Sequence, residues 1–145
     1  MPARRKRILF VVADGARARF FEGARIGGPL KELEAQEMHA APVEAARSPL
    51  PRVHDRFGPA RHAVEPRRSP RTASEAHFAR QVAETTDQLA AGFDEVVVCA
   101  APAVLGLMRE YLSDDVAGKL AAEFAKDYVR QAPVDLSASL AKIAE

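Results

Sequence analysis

The chain has 145 residues, a length that fits one domain able to bury a core without staples. Hydrophobic residues at 48% and charged residues at 28% exclude a wholly disordered chain, and the single cysteine excludes an internal disulfide framework. The net charge of +1 excludes a uniformly basic coat for nucleic acid, though not a local patch.

Ile8-Leu9-Phe10-Val11-Val12-Ala13 is a short, β-branched-rich apolar run that reads as a strand buried on both faces. It is too short for a signal-peptide core, and no run approaches the roughly 18 residues of a membrane span. The expected compartment is the cytoplasm, with no membrane partner. Asp14-Gly15 signals a turn, and Ala18, Phe20 and Phe21 form a second strand paired with the first as a hairpin. Gly27-Gly28-Pro29 is a further break. Leu30–Met38 has the composition of a helix but no helical stripe, so a third, edge strand of a meander is expected.

Residues 42–72 differ in kind. They hold six of the ten prolines (Pro42, Pro49, Pro51, Pro59, Pro66, Pro70) and seven arginines, so neither a helix nor a central strand is expected across them. A loop of this length within one domain is usually functional or disordered. After it, Thr72-Ala73-Ser74-Glu75 has capping-box spacing, Phe78, Val82, Thr85, Thr86 and Leu89 recur at helical spacing, and Gly92 closes the helix. Val96–Ala100 reads as a central strand. Pro102 opens a helix with Val104, Leu105, Met108 and Leu112 on its apolar side. Between 113 and 130, Val116, Leu120, Phe124 and Tyr128 are spaced for a helix, while Leu120, Ala122 and Phe124 alternate as in a strand; periodicity alone favours the helix. Pro133 opens the last helix, with Leu136, Leu140 and Ile143 inward. A meander, a long loop and then αβα units make an α/β domain with a mixed sheet, occupying 1–145 as one unit.

Charge is unevenly placed. Residues 1–25 carry seven basic and two acidic side chains (+5), 26–42 one and three (−2), 43–72 seven and three (+4), and 73–145 six and twelve (−6). Arginine can grip phosphate bidentately, so the first and third segments are candidates for polyanion contact. Arg17 and Arg19 alternate along the second strand and share a face. With Arg52, Arg56, Arg61, His62, Arg67, Arg68 and Arg71 they form the candidate polyanion-binding set. Phe57 is the one aromatic of the loop, so base stacking is expected to be minor and binding salt-sensitive.

Five segments together carry a resemblance: Val12-Ala13-Asp14-Gly15-Ala16-Arg17-Ala18-Arg19, Arg61-His62-Ala63-Val64-Glu65-Pro66, His77-Phe78-Ala79-Arg80-Gln81-Val82-Ala83, Ala101-Pro102 with Leu105-Gly106, and Lys126-Asp127 followed by Pro133. In their shared order they resemble the bacterial host attachment protein family, with Asp14, Gly15, Glu65, Pro66, Lys126 and Asp127 as motif residues. That family is in turn similar to the central domain of the archaeal and eukaryotic peptide-chain release factor and of its relative Pelota. The resemblance implies an RNase H-like or ribosomal-protein-like sheet and makes residues 119–126 a strand, which is adopted here over the helix. In release factors the loop before the long helix holds a Gly-Gly-Gln that promotes peptidyl-tRNA hydrolysis. The corresponding stretch here is Phe57-Gly58-Pro59-Ala60-Arg61-His62, and no Gly-Gly-Gln occurs in the chain, so peptide release is not expected.

Other constellations are weaker. Asp14, Glu65 and Asp127 suit a Mg²⁺-dependent phosphoesterase or nuclease only if the fold gathers them; otherwise Asp14 makes its turn. His54, Asp55, His62 and His77 match no zinc spacing. Cys99, mid-strand, is expected to be a buried and inert thiol. Gly27-Gly28 lacks the context of a nucleotide loop. No catalytic residue, metal or cofactor is therefore assigned. The expectation is a binding module for structured RNA or the ribosome. The alternatives are the phosphoesterase and a protein-interaction or self-associating module that serves attachment indirectly.

Overall fold

The computed structural model describes residues 6–40 and 70–144. Strand β1 (Ile8–Ala13) is buried along its whole length, as its unbroken apolar sequence requires. It forms a hairpin with β2 (Arg17–Gly23), Ala13 opposite Ala18. The turn is closed by Asp14, whose Oδ1 accepts from the amides of Ala16 and Arg17, both at 2.8 Å.

The third strand of the meander is not one strand. β3 (Lys31–Glu32) and β4 (Met38–His39) both run antiparallel to β2 but are separated by a 3₁₀ turn over Glu34–Gln36. Phe21 pairs with Glu32, whereas Ala18 pairs with Met38, so the register slips across the turn. The polar, helix-favouring Glu34-Ala35-Gln36 takes a helical turn, and only the flanking residues keep the ladder.

Helix α1 (Pro70–Ala90) begins before the expected capping box. Thr72 therefore lies inside the first turn rather than at the N-cap, and Pro70 supplies a start compatible with its fixed φ. Its Phe78, Ala79, Val82, Ala83 and Thr86 are buried. Gly92 follows the helix in an ordinary turn; among the described residues only Gly27 has a positive φ, 91°. Helix α1 leads to β5 (Glu95–Ala100), which lies parallel to β1 in full register from Ile8–Glu95 to Ala13–Ala100.

Helix α2 (Pro102–Tyr111) follows with Pro102 in its first turn. The ambiguous stretch then resolves into both readings: helix α3 (Asp114–Lys119) and strand β6 (Leu120–Phe124), the latter parallel to β5 with a bulge. Ser113 caps α3, its hydroxyl accepting from the Val116 amide at 3.2 Å, and two acidic residues open the helix. Helix α4 (Pro133–Ile143) ends the described chain.

The sheet order is β3-β2-β1-β5-β6, with β4 also on β2: an α/β mixed sheet as expected. Its two faces are covered unequally. Helices α1, α2 and α3 pack on Leu9, Val11, Phe20, Val96 and Val98. On the other face α4, through Leu136 and Leu140, covers Ile8, Phe10, Val12, Phe21, Val97 and Cys99 with help from Ile26 and Leu30. Burying each large apolar side chain stabilises the fold by about 1.5–3 kcal/mol, so this one short helix carries much of the second core.

Candidate functional site

The parallel strands β1, β5 and β6 end on one edge of the sheet, where binding crevices of α/β sheets generally form. Asp14-Gly15 leaves β1 there. Ala101-Pro102 leaves β5, the Ala101 amide donating to Ala13 O at 3.3 Å. Lys126-Asp127 follows β6, with Lys126 O accepting from Cys99 Sγ at 3.3 Å. Three motifs far apart in the chain thus meet at one edge.

The same edge receives the described stretches on both sides of residues 41–69. The Ala40 amide donates to Ala16 O at 2.8 Å, which ties the end of β4 to the hairpin turn. The second turn of α1 passes beside it: a Cβ added at Gly15 would stand 2.8 Å from Glu75 Oε2. Glycine at this position lets the helix pass close against the turn.

The candidate polyanion residues fall into three groups. Arg52, Arg56, Arg61, His62, Arg67 and Arg68 lie outside the described residues, as do Glu65 and Pro66. Arg71 lies in the first turn of α1, not in a loop. Arg17 and Arg19 share a face, as expected, but both are engaged. Arg17 Nε donates to Glu37 Oε2 at 2.8 Å, and His39 Nε2 meets the same oxygen at 2.8 Å. The Arg17 hydrogen bond is the main reason the Glu37 carboxyl sits below the usual carboxylate range, with His39 adding to it.

Arg19 is 6% exposed and belongs to the interior. Its Nε and Nη2 donate to the two oxygens of Glu32 at 2.8 and 2.7 Å. Its Nη1 donates to the carbonyls of Val129 and Gln131 at 2.8 and 2.6 Å. This is a structural arginine, since its donors are spent on the fold and no open face is left for phosphate. Sequence reasoning missed this because the deciding carbonyls lie 110 and 112 residues further on.

The carboxylates of the phosphoesterase alternative have other work. Asp14 closes the hairpin, and Asp127 Oδ1 accepts from the Val129 amide at 3.4 Å. Among the described residues no group of three His, Cys, Asp or Glu side chains is placed to hold a metal ion. His77 is exposed on α1. Cys99 is buried in β5, and burial, followed by the nearby Asp127 charge, pushes its thiol up to about 12, as its expected inertness requires. Gly27-Gly28 is a turn: Ser137 Oγ on α4 donates to Gly28 O at 2.6 Å.

Two cations of this edge were not singled out for contact by sequence reasoning. Lys126 enters the sequence only as a motif residue and Arg130 stands in no motif; both are exposed on the loop between β6 and α4.

Among the described residues no helix is long and apolar enough to cross a membrane. The chain matches, over residues 9–140, the family described as "Protein required for attachment to host cells". Comparison with curated proteins finds no match. Among solved structures it is similar to an archaeal translation termination factor, at 12% identity and a TM-score of 0.48, over 95% of this chain and 39% of that one. The chain therefore spans about two fifths of that factor's length.

Proposed function

The chain belongs to the family of proteins required for attachment to host cells, and on that premise we propose that it is a one-domain, non-catalytic binding module of the cytoplasm that contacts structured RNA, the ribosome included, through its arginine-rich segment. The contacting groups are Arg52, Arg56, Arg61, His62, Arg67 and Arg68, with Arg71 at the entry to α1. Attachment is then served indirectly, through the bound RNA.

One observation carries this reading. The described stretches on either side of the arginine-rich residues both come to the hairpin turn: the Ala40 amide is bonded to Ala16 O, and the second turn of α1 brings Glu75 close to Gly15. Residues 43–72 carry seven basic and three acidic side chains, and the chain on either side of them lies at this edge. Cations close together in the chain of a nearly neutral protein act on a polyanion through their local field. Phosphate-led contact of this kind is sequence-tolerant and falls steeply with salt.

The test is crosslinking in cells followed by identification of the bound species, together with a salt titration of purified protein on an RNA hairpin. RNA recovered by crosslinking and an affinity that drops steeply from low to physiological salt are expected. Recovery of protein alone, or RNA affinity indifferent to salt, overturns the reading in favour of a protein-interaction module.

A further inference from the structure

We propose that Lys126 and Arg130 are phosphate-contacting residues of the same edge, and that they give it a preference for helical over unpaired RNA. This rests on the RNA reading above and adds to it two residues and a preference between paired and unpaired strands.

The argument starts from which cations are uncommitted. At this edge Arg17 is held by Glu37 and Arg19 is buried on Glu32 and two carbonyls. Lys126 and Arg130 are exposed and hold no ion pair or side-chain hydrogen bond among the described residues. They are the cations of this loop that a phosphate can reach without first displacing a carboxylate.

Their backbone is held by hydrogen bonds within the loop and to the rest of the fold. Lys126 O accepts from Cys99 Sγ, and Asp127 Oδ1 accepts from the Val129 amide. The Gln131 amide donates to Tyr128 O at 3.0 Å. The carbonyls on either side of Arg130, those of Val129 and Gln131, are both gripped by Arg19 Nη1, and the Val129 side chain is buried. Arg130 thus projects from a backbone clamped immediately before and after it.

A clamped pair of cations has a consequence for selectivity. Little further backbone entropy is lost when they bind, so they add affinity wherever the phosphates already stand at matching positions. Helical RNA holds its phosphates on a fixed lattice, whereas an unpaired strand must be ordered first. The clamped loop therefore discriminates by shape.

The experiment uses the whole chain, an RNA hairpin and an unpaired RNA of equal length, each titrated with salt. For the double variant Lys126→Gln/Arg130→Gln, hairpin affinity should fall about tenfold at physiological salt, and the slope of log affinity against log salt should shrink by about two. Affinity for the unpaired strand should fall less, so that the preference for the hairpin narrows. Both side chains are exposed, so the thermal midpoint should match the unsubstituted protein. Arg17→Gln should leave the slope unchanged, because that charge is already neutralised. If the unsubstituted chain binds neither RNA, the RNA reading falls and this inference with it. If it binds steeply, and neutralising Arg52, Arg56, Arg61, Arg67 and Arg68 weakens it while Lys126→Gln/Arg130→Gln does not, this inference alone is overturned. Equal binding of hairpin and strand by the unsubstituted chain overturns the claimed preference.

Discussion

Arg19 and Glu32 meet fork to fork, two guanidinium nitrogens on two carboxylate oxygens, and so join β2 to the two-residue strand β3. The third nitrogen holds the loop before α4, and the guanidinium carbon lies 4.9 Å from the Phe21 ring centroid. One side chain therefore ties together the sheet edge, the loop after β6 and the approach to the helix that covers the second core. Strand β3 alone is too short to hold that edge by its ladder.

Removing this arginine should be costly. Arg19→Met leaves Glu32 without its partner in a site where that side chain is 15% exposed, and it strips two carbonyls of a donor. Breaking a buried pair in this way costs about 3–5 kcal/mol. Arg19→Lys should recover little, since one ammonium cannot reproduce the planar fork. Urea denaturation checks this through a lowered midpoint at unchanged slope. A loss under about 1 kcal/mol contradicts the structural role.

How far the fold could be read in advance follows from the range of the forces. Ile8–Ala13 and Val96–Ala100 advertise buried parallel strands by composition alone, and Asp14-Gly15, Pro102 and Pro133 mark their boundaries through local backbone chemistry. The convergence of Asp14, Ala101 and Lys126 could be anticipated only through resemblance. What stayed hidden was decided at long range. The acidic stretch 26–42 and the basic stretch 1–25 count as separate blocks in sequence, yet Glu32 and Glu37 fold onto Arg19 and Arg17. Nor does the sequence show that Lys119 reaches Ala90 O at 2.7 Å and Phe93 O at 3.1 Å, closing the C-terminal end of α1 from the end of α3.

Gly27 sets a second test. Its φ of 91° disfavours any side chain, and an added Cβ would stand 2.9 Å from the Ala141 Cβ on α4. Gly27→Ala should destabilise by about 1–3 kcal/mol, from backbone strain and from pushing α4 off the sheet. Gly106→Ala, where nothing lies within 4 Å of the added carbon, is the helical control and should be neutral or stabilising. Thermal melts of the two variants should separate in that order; equal midpoints contradict the close approach of the turn to α4.

Cys99 predicts a pH dependence with a definite sign. Its thiol is pushed up to about 12 in the folded protein, first by burial and then by Asp127, from an ordinary value of 9.0. The folded state therefore holds this proton more tightly than the unfolded state. The contribution to stability is complete below the unfolded value and is lost as pH rises from about 9 towards 12. At pH 8 the folded thiol should resist iodoacetamide and react only after unfolding. Cys99→Ala should flatten the decline in stability above pH 9 relative to the unsubstituted chain. Rapid labelling of the native protein at pH 8 counts against the buried thiol.

Glu37 is the residue whose removal should strengthen polyanion binding. Its carboxylate neutralises Arg17 at 2.8 Å and also meets His39. Glu37→Gln keeps the side-chain shape but removes the charge, which leaves Arg17 available at the edge from which the arginine-rich residues depart. An added phosphate contact should raise the salt slope by about one and the hairpin affinity several-fold. The stability cost should be under about 1 kcal/mol because the pair is partly exposed. A second readout is independent of RNA. The Glu37 carboxyl lies below the usual carboxylate range, so its contribution is present above that range and is lost as pH falls through its folded value. Glu37→Gln should therefore soften acid unfolding even where RNA affinity is not measured. An affinity that drops in Glu37→Gln means that Arg17 needs its carboxylate to be useful, and the picture of a neutralised reserve cation is then wrong.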